Sequence, residues 1–354
     1  MTMEPETQDA NLKDATTSNQ FAIAYLQLCQ ISYLLPVSII APEITKLPAL
    51  NQGGSWQCLW GPVQSADEAN LVYVASYFDS PGLPLFTAVV IRGTDLSVTD
   101  PLGILEQIWE DADVLGWSPL PWDPTQPARI ANGSIDTLST IQGLQHGGQT
   151  LEAFLASYLG DPVNGNPVLV VTGHSLGGGL VSVVAPWLKS ALAAVGLTPQ
   201  IFPSSFAAPT AGNGAFADYY DAQFPSAARY WNTLDVVPRG WWDLSGISTI
   251  YEGCGLTIPD TAYALILAWE FLLGAEQRSY IQPHTNSVPL WSSCMNSNSD
   301  WYVELAYQHH TTTYMSILGG TSIVVPPSFV PTGRSRRHSK LYTRFGTLST
   351  CLRR

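Results

Sequence analysis

Apolar and polar positions along the chain fall into short alternating runs separated by amphipathic stretches. Residues 71–78 (LVYVASYF) and 85–91 (LFTAVVI) alternate β-branched and aromatic side chains around Asp79-Ser80-Pro81-Gly82, which predicts two strands joined by a turn. Residues 21–35 carry no charge and predict a helix ended by Pro36. Residues 36–66, mixing Pro, Gly and Trp, read as loop. Residues 135–158 read as helix broken at Gly147-Gly148, and 301–318 as mostly helix. Residues 201–207 and 229–232 read as further strands. Strands alternating with helices predict an α/β fold with a mostly parallel sheet covered on both faces. The division is an N-terminus over 1–20 without structure, a body over 21–325 and a tail over 326–354. Within the body, residues 241–300 read as an apolar insertion.

The most informative stretch is residues 166–188, NPVLVVTGHSLGGGLVSVVAPWL. It predicts a short apolar strand, a hard turn at Gly173-His174-Ser175-Leu176-Gly177 and an apolar helix. A serine on such a strand-to-helix turn points its hydroxyl away from the sheet, and the flanking glycines leave room for the strained backbone. A bare G-x-S-x-G is weak evidence. The β-branched run before it and the uncharged helix after it supply the context. Ser175 is the candidate nucleophile.

A serine hydroxyl needs a base within hydrogen-bond reach, and the base needs an orienting carboxylate. In an α/β-hydrolase the acid follows the serine and the histidine follows the acid. Four histidines lie beyond Ser175. His338 sits in the basic tail, and His284 in a polar loop. His309 and His310 stand at a junction beside the apolar Leu305-Ala306-Tyr307, so one of them is the candidate base. Asp235 follows a strand and precedes the stiff Val236-Val237-Pro238, which makes it the candidate acid. Asp218, Asp221, Asp243 and Asp260 fall on a helix or in loops. Two donors must meet the oxyanion. The backbone N–H of Leu176 is one, and Thr94, after the strand ending at Ile91 and next to Gly93, is the other.

Composition narrows the partners. Charged residues are 12% of the chain and the formal charge is −13. Seven basic residues and no acidic one lie from Arg334 onward, so the preceding chain is more acidic still. Such a body repels phosphates, which excludes nucleic-acid binding as its main role. The apolar runs near 21–35 and 262–273 are shorter than the ~20 residues of a membrane span, so no transmembrane segment is expected. The N-terminus lacks the basic-then-apolar pattern of a secretory signal, giving an expectation of a cytoplasmic protein or one exported without that signal. Five cysteines show no metal spacing; a Cys254–Cys294 bridge is allowed but not derivable.

Four blocks resemble the fungal-type (class 3) lipases of the α/β-hydrolase fold: Val89-Val90-Ile91-Arg92-Gly93-Thr94, Gly173–Gly178, Asp235-Val236-Val237-Pro238, and Gln308-His309 with Tyr314 beyond. Residues 128–133 and 206–213 resemble the bacterial branch of that family. The resemblance implies a triacylglycerol lipase or carboxylesterase without cofactor or metal, Thr94 as an oxyanion residue, and His309 ahead of His310 as the base. Many relatives carry histidine where Asn132 stands, so that position receives no catalytic role. A lid is expected over residues 95–117. Leu102, Ile104, Leu105, Ile108 and Trp109 would meet lipid at a lipid–water interface. Trp241, Trp242, Tyr251 and Trp269 are candidates to line the acyl site. The alternatives are a soluble carboxylesterase, a phospholipase or feruloyl esterase with the same triad, and a hydrolase fold that binds without catalysis. The residues leave the oligomeric state open.

Overall fold

The strand periods determine the architecture. In the computed structural model, residues 71–80 and 83–91 form strands β2 and β3, an antiparallel hairpin. Residues 19–80, 82–94, 113–284, 286–295 and 300–324 are described. The expected N-terminal and C-terminal tails, the lid residues 95–112 and their Pro101–Trp109 apolar face lie outside them.

Side chains on β2 and β3 divide between two cores, as a period of two requires. Tyr73, Ala75, Tyr77, Phe86, Ala88 and Val90 face one side, with Tyr25, Phe202 and Phe206. Val72, Val74, Val89 and Ile91 face the other, with Val171, Leu180 and Leu188. A sheet buried on both faces is the expected outcome of near-continuous apolar strands.

Among the described residues seven strands make that sheet, in the order β1-β2-β3-β8-β9-β10-β11. Here β1 is Ser55–Gln64, β8 Val168–His174, β9 Ile201–Phe206, β10 Ala228–Asn232 and β11 Ser287–Leu290. The strands β3, β8, β9, β10 and β11 are mutually parallel, and β1 and β2 add an antiparallel edge. Two small ribbons, β4 (Trp117–Pro119) with β5 (Arg129–Ala131) and β6 (Gln145–His146) with β7 (Gln149–Thr150), lie outside it. Helices α1 (Asn19–Ile31), α2 (Ile40–Ile44), α3 (Asn132–Gly143), α4 (Leu151–Gly160) and α5 (Leu176–Ala194) precede β9. After it come α6 (Gly214–Gln223), α7 (Leu244–Ile247), α8 (Asp260–Ala275), α9 (Trp301–His309) and α10 (Thr311–Ile317). By length and composition α5 would cross a membrane, but it is mostly buried as a core helix, with Val181, Val184 and Leu188 against the sheet.

Four expectations are corrected. Residues 36–66 are loop only in part: a short helix forms at Ile40–Ile44, and Ser55–Gln64 form β1, the outer strand of the sheet, with Trp56 and Trp60 buried on opposite faces. Register shifts at Cys58/Trp60 and Trp60/Val63 break its alternation and hide the period. Helix α1 stops at Ile31, before Pro36, where the Ser32 hydroxyl donates to the Cys29 carbonyl at 2.7 Å and the chain turns. The insertion over 241–300 holds α8 and also β11, which pairs with β10. Trp241, Tyr251 and Trp269 do not face an open acyl site; they bury in a third core with Ile266, Leu273 and Trp301. Trp242 is half-exposed and donates its indole N–H to the Pro238 carbonyl at 2.8 Å.

Cys254 and Cys294 form a disulfide across 40 residues, stapling the start of this insertion to the segment that leads into α9. Closing a loop of that length in the unfolded chain is worth about 4 kcal/mol in the chain-entropy treatment. Reduction is therefore expected to lower the thermal midpoint by several degrees in a melt followed by circular dichroism. An unchanged midpoint in the verified reduced protein would contradict a stabilising staple.

Candidate active site

The carboxyl ends of the parallel strands carry Thr94, Ser175 and Asp235, as open parallel sheets do for ligands. Strand β3 ends at Ile91 and delivers Gly93 and Thr94; β8 delivers Ser175; β10 delivers Asp235. His309 closes α9.

Ser175 adopts φ 61° and ψ −133°, a region costly for a residue with a side chain. Its N–H donates to the Phe206 carbonyl at 3.0 Å, which ties the turn to the neighbouring strand. Gly173 and Gly177 permit this turn by close approach. A Cβ on Gly173 would collide with the Gly177 carbonyl, and one on Gly177 with the Ile91 carbonyl. The two glycines therefore let α5 begin directly against the ends of β3 and β8.

From Ser175 a continuous hydrogen-bond line runs inward. Ser175 Oγ lies 2.8 Å from His309 Nε2, and His309 Nδ1 lies 2.8 Å from Asp235 Oδ2. All three are buried. Because an ionised carboxylate only accepts, Nδ1 carries the proton and Nε2 is free to accept from the serine hydroxyl. Asp235 has further donors: Tyr314 OH at 2.7 Å to Oδ2 and the Val237 N–H at 3.0 Å to Oδ1. Tyr314 OH in turn accepts from the Asn232 N–H at 3.0 Å. Burial first, and the Asp235 charge second, hold the Tyr314 phenol well above its ordinary pKa, so it remains a donor.

A second chain of polar side chains braces α9. Asn232 Nδ2 donates to Gln308 Oε1 at 2.7 Å, and Gln308 Nε2 donates to Glu304 Oε1 at 2.7 Å. Glu304 also accepts the Met295 N–H, next to the disulfide. Cys254, Cys294 and Glu304 are a group of potential metal ligands within 4.8 Å of one another, but the two sulfurs are bonded to each other and offer no thiolate.

The two oxyanion candidates meet at one cleft, which Thr94 and Leu176 line together with Arg92, Asp113 and Gly133. Thr94 Oγ1 is buried and finds no hydrogen-bond partner among the described residues. Leu176 is the first residue of α5, where a backbone N–H has no acceptor within the helix. An unsatisfied buried hydroxyl beside a free helix-start amide is a favourable setting for an anion.

His310 is not brought to Ser175. Its Nδ1 accepts the Thr312 N–H at 3.1 Å and caps α10, because the chain turns extended at this residue between the two helices. His284 sits in an exposed loop with its backbone N–H on Asp221. Sequence reasoning missed His174, whose ring centre lies 4.9 Å from that of His309. It also missed Asn232, which ties the end of β10 to α9. Neither has a local spacing signal, since both contacts join residues more than seventy positions apart.

Burial first, and His309 second, push the His174 imidazole well below its ordinary pKa and that of His310 down to about 4. Unfolded histidines take up a proton near pH 6.5, so below that pH the unfolded chain binds more protons than the folded one. Stability is present above that value and is lost as pH falls toward about 4. The thermal midpoint is expected to drop across this window, and His310→Gln to reduce the drop. An identical pH slope in wild type and variant would contradict the assignment.

Residues 88–241 match the model of the class 3 lipase family. Among solved structures, that of M37 lipase is 26% identical, with 85% of this chain and 94% of that one covered and a TM-score of 0.71. The Rhizomucor miehei triacylglyceride lipase is 20% identical over 67% of this chain and 75% of that one, with a TM-score of 0.44, a likeness on which nothing below rests. No curated protein sequence matches. The family match spans Thr94, the Gly173–Gly178 turn and Asp235, and over that stretch the chain is similar to the class 3 lipases on an α/β-hydrolase sheet.

Proposed function

We propose that this protein is a class 3 lipase that hydrolyses carboxylic esters through an acyl-enzyme on Ser175, with His309 as base and Asp235 as its orienting acid. The observation that carries the reading is the continuous Ser175–His309–Asp235 hydrogen-bond line, both links at 2.8 Å. Ser175 Oγ attacks the ester carbonyl carbon while its proton passes to His309 Nε2. Asp235 stabilises the imidazolium and fixes its tautomer. The carbonyl oxygen becomes an oxyanion held by the Leu176 N–H and the Thr94 hydroxyl, which need no reorganisation to receive it. His309 then protonates the leaving alcohol, and the C–O bond breaks to leave acyl-Ser175. Water repeats the sequence: it gives its proton to His309, attacks the acyl carbon and releases the acid and the free serine.

The substrate reading extends to esters presented as a lipid aggregate. Helix α8 is apolar on both faces: Ala262, Ile266, Trp269 and Leu273 are buried, while Tyr263, Leu267 and Phe271, spaced by four, are exposed at 45%, 44% and 65%. A row of that kind on a helix whose buried face shares a core with Val236 and Val237 supports contact with an apolar phase. The disulfide supports action in an oxidising compartment, where such bonds persist.

Ser175→Ala is expected to cut the turnover of p-nitrophenyl butyrate by about 10³-fold or more, with an unchanged circular dichroism spectrum. Retained turnover in that variant would end the assignment. Thr94→Ala, losing one oxyanion donor, is expected to lower kcat by about 10²-fold with KM little changed; an unaffected kcat would remove Thr94 from the oxyanion site. For the lipid reading, tributyrin rates measured across the solubility limit should jump when the emulsion forms. Saturation well below that limit would identify a soluble esterase instead.

A further inference from the structure

His309 stands where two helices part. It is the last residue of α9, and its carbonyl is therefore among those left without an intrahelical donor. His310 is extended and caps α10, so the turn cannot satisfy that carbonyl from within. The donor comes instead from the residue beside the nucleophile. His174 Nε2 lies 2.9 Å from the His309 carbonyl oxygen. Since a carbonyl only accepts, Nε2 of His174 carries its proton and Nδ1 is left as the acceptor, with Tyr33 OH at 3.3 Å. The His174 ring lies beside the His309 ring at 37°, and the Tyr314 ring meets it edge-on at 5.7 Å.

We propose that His174 is a positioning residue for the ester hydrolysis inferred above, holding the base in register with the nucleophile. Ser175 meets the His309 side chain and His174 meets the His309 backbone, so two adjacent residues grip the base at two points. The grip closes a small ring of contacts between the end of β8 and the end of α9, elements that are otherwise far apart in sequence. It fixes both the position of the His309 main chain and the plane against which its imidazole rests. A base displaced by an ångström loses much of the advantage of pre-set geometry.

The device works only with an uncharged His174. During reaction His309 becomes an imidazolium, and a second positive ring beside it would oppose that charge. The titratable groups facing His174 are Tyr33 after α1, His309 on α9, His310 at the junction and Tyr314 on α10. Asp235, after β10, is bonded to both His309 and Tyr314. Burial holds the Tyr314 phenol well above its ordinary pKa, and the Asp235 carboxylate is committed to His309 and Tyr314. Burial and the neighbouring histidines both keep His174 neutral.

The test compares three variants on p-nitrophenyl butyrate, with kcat expressed per serine titrated by a phosphonate. His174→Phe keeps a ring and loses the donor; His174→Gln keeps a side-chain N–H donor that cannot titrate. His174→Phe is expected to lower kcat at least tenfold with KM within twofold, and His174→Gln to restore most of the loss. Should His174→Phe not fold, His174→Met, equally without a donor and more adaptable in packed interiors, takes its place. Donorless variants with wild-type kcat, or a Gln variant as impaired as they are, would overturn the inference. A wild-type protein inert toward esters would instead overturn the hydrolase reading beneath it.

Discussion

A sharp turn between a buried strand and a buried helix imposes the main constraint on this structure. Ser175 must hold a left-handed φ so that its hydroxyl leaves the sheet, a conformation that costs on the order of 1–3 kcal/mol. Packing on every side keeps it there. The α5 helix can approach only because Gly173 and Gly177 carry no Cβ against the backbone of their neighbours. The Phe206 carbonyl holds the Ser175 N–H from the next strand. The same approach sets Leu176, the first residue of α5, and Thr94 on the wall of one cleft.

The acid and base sit among buried polar groups whose hydrogen bonds are made. Asp235 accepts from three donors, and the chain from Asn232 through Gln308 to Glu304 closes on the backbone beside the disulfide. Leaving any one of these groups unpaired would cost about 1–3 kcal/mol, so the network favours a single arrangement of α9 relative to β10. That arrangement brings His309 to Ser175, 134 positions away in the chain. The Thr94 hydroxyl contrasts with it, being buried and unpaired among the described residues.

Much of this was legible in the residues because it is local. The elbow announces itself by glycines within two positions of Ser175. The stiff Val236-Val237-Pro238 marks Asp235, and strands alternating with helices along the chain point to a sheet covered on both faces. The ordering of serine, acid and histidine narrowed the base to two adjacent residues. The choice between them depended on where α9 ends, and His310 proves to be the cap of the next helix. What remained hidden is non-local or irregular. Strand β1 is disguised by its register shifts. Strand β11 is a four-residue segment whose identity comes from pairing with β10 across more than fifty residues. The role of His174 needs the end of a helix 135 positions later.

The central claim is that Ser175 is the one activated hydroxyl of this chain, made nucleophilic by His309 and Asp235. Treating the folded protein with an alkyl p-nitrophenyl phosphonate and mapping the adduct by peptide mass spectrometry tests it most directly. The account predicts one phosphonyl group per chain, on Ser175, with release of one p-nitrophenol and slow or absent labelling when Asp235 is replaced by asparagine. A stoichiometric adduct on another residue, or an unlabelled Ser175 in folded protein, would contradict it.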